Sequence, residues 1–457
     1  MMDQVIARLE KNKQRNIELY EAFLRIPSIS TDADRKQEMH QAAEWVRRFF
    51  ADCGIDGEII ETGGHPVVLA DTGPVGNGKM TVLVYGHYDV QPTGDKSLWD
   101  SPAFEPTIRD GVMYGRGSAD DKGQVLTHML AAESWMKVAG KTPVRVKFLI
   151  EGEEEVGSPS LIPLVKEYRQ RLACDYVALS DTAKLDADTP AITYGTKGIV
   201  YKEITLYGPE QDLHSGSFGG TVTNPGNALA AILAFLRDGD GRVTIPGFYD
   251  DVRELSPKEK AAMAELPFDE NDYLATLRAP ALTGEKGYTT LERRWVRPTL
   301  DVNGLFGGFT GEGQSTIIPS KMMAKVSMRL VPDQVPEKIA LAFDEAVRAA
   351  APKGVRIEIK DLNACAPYVS PIDSPGMVAA MKGVEAGFGT RPVFIREGGS
   401  LPILPKFKEI LSADSLMMGF CAPNCNAHGP NEFFSLQDFH NGARAAACFL
   451  HYLATRK

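Results

Sequence analysis

The stretch Thr81-Val-Leu-Val-Tyr-Gly-His-Tyr-Asp-Val90 limits the fold more than any other part of the chain. A short run of β-prone apolar residues stopped by Gly86 reads as a buried strand of a parallel sheet. Open α/β sheets carry their chemistry at the carboxyl ends of such strands. His87 and Asp89 are therefore delivered to a sheet edge. Their spacing suits an imidazole that binds a metal through one nitrogen while a carboxylate holds its other N–H. A lone His-x-Asp also fits an ordinary structural histidine, so the decision falls to the other strand ends.

Three further stretches end in the same way. Met113-Tyr-Gly-Arg-Gly-Ser-Ala-Asp-Asp-Lys-Gly places Asp120 and Asp121 ahead of a helix expected over 123–138. One aspartate suffices as an N-cap, which leaves the other free for a divalent ion near the positive end of the helix dipole. Val144–Ile150 reads as a strand that runs into Glu151-Gly-Glu-Glu-Glu-Val-Gly-Ser158, whose crowded carboxylates repel unless cations or protons compensate. Tyr176-Val-Ala-Leu-Ser-Asp181 is a third apolar run ending on a carboxylate. Near the C-terminus, Leu416–Phe420 precedes Asn426-Ala-His428-Gly-Pro-Asn-Glu432. Strands alternating with helices imply an α/β fold with a mostly parallel sheet flanked by helices.

The chain of 457 residues exceeds what one hydrophobic core usually supports, so two domains are expected. Helical spacing covers 4–24 and 36–52. From about 195 the pattern changes to strand, helix (225–237), strand (321–331), helix (337–350) and strand (355–359), which fits a small α+β domain with one exposed sheet face. Helix at 374–388, strand at 410–420 and helix at 436–454 then resume the first pattern. Residues 196–365 are accordingly an insertion into a domain made of 1–195 and 366–457. A net charge of −10 argues against nucleic acid and anionic membranes as partners. The amino terminus has no apolar leader-like segment, and six scattered cysteines do not form a disulfide framework; both favour the cytoplasm. Cys421-x3-Cys425-x2-His428 lacks a fourth ligand for structural zinc, so both thiols are read as buried residues.

Taken in order and spacing, these motifs resemble the dinuclear-zinc metallopeptidase family that includes aminoacylase, bacterial glutamate carboxypeptidase and the carnosine and cytosolic nonspecific dipeptidases. The resemblance runs from about residue 15 to the end. It implies a zinc-exopeptidase fold in which 196–365 is a lid and dimerisation domain, giving a homodimer. It implies two divalent ions, zinc or else manganese or cobalt, with His87 and Asp181 on one, Glu155 and His428 on the other, and Asp120 bridging both. Glu154 is then the general base toward a metal-activated water, and Asp89 orients His87. His214, in Asp212-Leu-His-Ser-Gly, resembles the family's lid-domain histidine, which in dimeric members reaches the partner's site.

Within the family the chain looks closest to the dipeptidases through Gln314–Pro319, Met328-Arg-Leu-Val-Pro332 and Arg396-Glu-Gly-Gly-Ser400. Arg329 suits a peptide's terminal carboxylate because its planar fork binds carboxylate at two points. Thr316, Glu397, Gly398, Gly399 and Ser400 would meet the backbone and amino end of a short substrate. The implied activity is hydrolysis of dipeptides or short peptides. A deacylase of N-acyl amino acids shares every metal ligand, and a silent binding protein shares the fold; the presence of Glu154 speaks against the latter.

Overall fold

The computed structural model describes residues 1–76 and 80–455. At the amino end, one expected helix is two, α1 (Met2–Lys11) and α2 (Lys13–Leu24). The break is at Asn12, whose side-chain amide donates to the Arg8 carbonyl at 2.8 Å and so competes with the backbone ladder. Helix α3 (Lys36–Cys53) buries Met39, Ala42, Val46, Phe49 and Phe50, and ends at Gly54, whose φ of 76° suits the left-handed cap. Then come β1 (Asp56–Ile60), β2 (Val67–Asp71), β3 (Thr81–His87), α4 (Lys122–Ala139), β4 (Arg145–Glu151), β5 (Tyr176–Leu179) and β6 (Ala191–Thr196).

The chain forms two compact units, and Gly195–Val369 together with Arg396–Pro402 makes up the second. That unit holds β7 (Gly198–Tyr207), α5 (Pro225–Phe235), β8 (Thr299–Gly307), β9 (Lys321–Leu330), α6 (Pro336–Ala350) and β10 (Arg356–Cys365). Its antiparallel sheet runs β8-β9-β7-β10. One core joins Ile204, Leu206, Ala324, Val326 and Met328 of the strands to Leu229, Ile232, Ile339 and Phe343 of the helices. Strand β8 was not expected, because its sequence lacks the apolar run of the others: only Leu300 along it is buried.

The first unit is completed by α7 (Pro375–Phe388), β11 (Asp414–Gly419) and α8 (Leu436–Ala454). Helices α7 and α8 touch backbone to backbone. A Cβ on Gly387 would stand 2.6 Å from the Ala445 nitrogen, and one on Gly383 would stand 2.8 Å from the Phe449 nitrogen. Among the described residues no helix is long and apolar enough to cross a membrane.

Seven strands of a nine-stranded sheet line up as β1-β2-β4-β3-β5-β11-β6. The central four are mutually parallel, with His87 opposite Glu151, Val84 opposite Ala178 and Leu179 opposite Met417. The flanking pairs β1-β2, β2-β4 and β11-β6 are antiparallel. Four parallel strands place four carboxyl ends on one edge, with the start of α4 beside them. Gly86 does not stop the strand, which continues through His87. Its role is space: a Cβ there would lie 2.6 Å from both Asp121 Oδ2 and Val125 Cγ2. A three-stranded ribbon (Thr107–Arg109, Val112–Tyr114, Phe433–Ser435) pairs Phe433 with Tyr114 and so brings Glu432 beside Gly115.

Buried on α4, His128 holds Ser180 Oγ at 2.7 Å, tying the helix to the end of β5. Burial pushes its pKa down to about 4. Unfolded, it titrates near 6.5, so between pH 6.5 and 4 the unfolded chain binds a proton that the folded one does not. Stability is therefore lost as pH falls through that window. The expected outcome is that His128→Gln removes about 2 kcal/mol of the stability lost between pH 7 and pH 5. Urea unfolding of both proteins at the two pH values checks it; an equal loss in both would contradict the assignment.

Candidate active site

The carboxyl edge gathers two groups of possible ligands. His87, Asp120 and Asp181 form one, and Asp120, Glu155 and His428 the other; within each group the ligand atoms all lie within 4.8 Å of one another. His87 Nε2 stands 3.1 Å from Asp120 Oδ1 and 4.0 Å from Asp181 Oδ2. His428 Nε2 stands 2.9 Å from Asp120 Oδ2 and 3.3 Å from Glu155 Oε2. The two oxygens of Asp120 thus face the two imidazoles. Glu154 follows the end of β4 on a short 3-10 turn with Glu155.

A second layer holds these groups. His87 Nδ1 lies 3.1 Å from the Asp89 carbonyl and 3.4 Å from its carboxylate. That carboxylate also accepts the Glu154 and Glu155 N–H groups, at 3.3 and 3.1 Å. Asp89 therefore links the imidazole to the glutamate turn. Gln91 donates to Glu155 Oε2 at 2.7 Å. Asp121 is the residue before α4, yet its side chain makes no cap; it accepts the His87 N–H at 3.2 Å instead. The expected N-cap is therefore absent, because the close approach at Gly86 turns Asp121 toward β3. The Asp120–Asp121 peptide bond is cis. Glu151 and Glu153, without an assigned role in the sequence, are buried supports. Glu151 accepts Tyr85 and Ser158 hydroxyls, and Glu153 accepts the His65 and Ser160 N–H groups.

Sequence reasoning missed Arg116 and Glu432. The fully buried Glu432 carboxylate accepts N–H groups from Gly117, Ala119 and Asp120 at 2.9, 2.8 and 3.0 Å. It also accepts Arg116 Nη1 at 2.7 Å, while Arg116 Nη2 donates to the carbonyls of His428 and Pro92. The Asp120 and His428 segments are thereby fastened together. The signal was two charged residues among glycines and prolines in motifs already singled out, where a solvated turn has no need of them.

The cluster is short of positive charge. Burial, aided by Asp120, pushes Glu155 up to about 7 and Asp181 up to about 6. Burial and the neighbouring Asp181, Asp120 and Glu155 carry Glu154 well above the usual carboxylate range. The hydrogen bond to Asp120 raises His428 to about 9. Divalent cations would let every carboxylate ionise. His87 Nε2 is buried and makes no hydrogen bond, although carboxylate oxygens surround it. An orphaned imidazole nitrogen among carboxylates fits a cation, and this donor set suits zinc, manganese or cobalt.

The remaining sequence-selected residues lie in the second unit. His214 Nδ1 accepts the Gly216 and Ser217 N–H groups, at 3.0 and 3.2 Å, which leaves the proton on Nε2 of an exposed ring. Next to it, the Thr316 carbonyl accepts the Ser215 N–H at 2.8 Å. Arg329 donates to Ser400 Oγ at 2.8 Å. Glu397 turns one carboxylate oxygen back onto the N–H groups of Gly398 and Gly399.

Comparison with known proteins gives a consistent picture. Residues 83–452 match the model of peptidase family M20/M25/M40. The chain is 31% identical to the Cys-Gly metallodipeptidase of Schizosaccharomyces pombe, covering 99% of this chain and 98% of that one. It is 32% identical to the human Beta-Ala-His dipeptidase, covering 85% and 78%. Among solved structures, the M20 family metallo-carboxypeptidase Sso-CP2 from Sulfolobus solfataricus superposes with a TM-score of 0.85 at 31% identity, covering 96% of this chain and 99% of that one.

Glu432→Gln turns an amide toward N–H donors that now meet a carboxylate. The expected outcome is metal affinity lowered by about 10–100-fold, as for other residues that orient ligands, with the fold retained. Competition with a chromophoric chelator and circular dichroism check it; unchanged affinity would remove the role.

Proposed function

Because the chain belongs to peptidase family M20/M25/M40, we propose that it is a metal-dependent dipeptidase that cleaves free dipeptides and short peptides. The observation that carries the reading is Asp120, whose two carboxylate oxygens face one imidazole each, in a chain alike over its whole length to a metallodipeptidase. His87, Asp120 and Asp181 would hold one divalent ion, and Asp120, Glu155 and His428 the second, with zinc, manganese or cobalt as the metal. Ions held there supply Lewis-acid polarisation of the peptide carbonyl and a lowered water pKa.

The chain's own residues do the rest. Asp89 fixes the His87 ring. The Glu154 carboxylate accepts a proton from the attacking water and passes it to the leaving nitrogen. His214, with its proton on Nε2, is a ready donor to the developing oxyanion. Arg329, braced by Ser400, takes the terminal carboxylate. Thr316 and the Glu397-Gly398-Gly399-Ser400 turn line the backbone and amino end of the substrate. Six unbridged cysteines suit a reducing compartment, so we place the enzyme in the cytoplasm.

Purified protein with added Zn²⁺ or Mn²⁺ is expected to cleave free dipeptides and to spare their N-acetylated forms. Glu154→Gln should keep its metal and lose about 10²–10⁴-fold in kcat, and a chelator should abolish turnover. Faster cleavage of N-acetyl amino acids would replace the dipeptidase by the deacylase.

A homodimer through the second unit is part of the proposal. Strand β8 is a sheet edge that exposes Val302, Leu305 and Phe306, with Phe309 beyond it. An apolar edge of this kind invites pairing with another chain. Leu305→Glu with Phe306→Glu should halve the mass in sedimentation equilibrium, whereas a wild-type monomer would remove the dimer.

A further inference from the structure

The second unit contains a cavity of about 450 Å³ with Lys197, Tyr273, Arg294, Leu300, Asp301 and Gly398 in its wall. Lys197 is 3% exposed. Its ammonium donates to the Arg293 carbonyl at 3.0 Å, and among the described residues no carboxylate lies within 4.0 Å of it. Arg294 lies over the Tyr273 ring at 5.2 Å and is likewise without a carboxylate partner, as is Arg329. Arg297 in the same wall shows what a structural cation looks like: Glu285 takes it at two points, both at 2.8 Å.

Two cations without carboxylate partners near one buried ammonium, itself unpaired, cost the fold stability. Burial, then the charge of Arg329, then that of Arg294, push Lys197 down to about 7, with Asp301 and Glu397 opposing. The main chain draws the same residues together. The Lys197 N–H donates to the carbonyls of Glu397 and Gly399, and Thr299 of the cavity wall pairs with Arg329 across β8 and β9. An anion is the missing partner. The volume fits a side chain, beyond what a single water or ion fills.

We propose that Lys197 and Arg294 form a second carboxylate subsite beside Arg329, which makes dipeptides with a C-terminal Asp or Glu the favoured substrates. This rests on the dipeptidase reading, in which Arg329 takes the main-chain carboxylate. A C-terminal acidic residue presents two carboxylates, the main-chain one for Arg329 and the side-chain one for Lys197 and Arg294, whose charges already act on one another. The aliphatic stem packs against Leu300 and Tyr273.

The test compares kcat/KM for Ala-Glu with Ala-Gln, and for Ala-Asp with Ala-Asn, in the wild type, Lys197→Met and Arg294→Met. The wild type is expected to favour the acid of each pair by about tenfold or more, expressed in KM, and each substitution to bring that ratio toward one. Lys197→Met should also melt no lower than the wild type, since it removes a buried unpaired charge. A wild-type ratio at or below one, or a ratio that survives both substitutions, overturns the subsite. Free glutarate separates the two sources of a carboxylate: competition with Ala-Glu supports the substrate reading, whereas acceleration of Ala-Gln cleavage means an effector site and overturns it. If only N-acyl amino acids are cleaved, the dipeptidase reading fails separately. N-acetylglutamate against N-acetylglutamine then supports or overturns the subsite by the same ratio.

Discussion

Like charges held at close range govern the first unit. Asp120, Glu154, Glu155 and Asp181 come from a helix start and two strand ends, and all meet around two imidazoles. Burial first, and repulsion between neighbouring carboxylates second, raise the proton affinities of Glu154, Glu155 and Asp181. A chain that only had to fold would separate them. Keeping them together requires a rigid scaffold, and the four parallel strands β4, β3, β5 and β11 provide it.

The scaffold alone does not set Asp120. Its segment is a glycine-bearing loop between the small ribbon and α4, and loops of that kind are free to drift. Glu432 restrains it by accepting the N–H groups of Gly117, Ala119 and Asp120, and Arg116 binds the same carboxylate to the His428 segment. Buried carboxylates with four donors are costly to assemble and rigid once assembled. The ion pair therefore acts as a positioning device for the residues on which the proposed chemistry rests.

A small group of cations and donors in the second unit contrasts with this acidic cluster. The group comprises Arg329 on Ser400, Lys197 and Arg294 without a carboxylate partner among the described residues, and His214 with Nε2 left as the proton-bearing atom.

The sequence by itself determined which residue types close each strand. Apolar runs of four to seven residues ending on His87, Glu151 and Asp181 are local patterns, and local periodicity suffices to read them. Helices α3, α4 and α8 were legible for the same reason. The tertiary structure alone decided which side chains pair. Glu432 lies 312 residues from Asp120, Glu153 holds the N–H of His65, and Asp121 serves β3 in place of capping α4. Strand β8, half exposed and poor in buried side chains, left no periodic mark. Periodicity records the face an element buries, whereas a hydrogen bond between distant segments depends on how whole elements pack, and no short stretch of sequence carries that information.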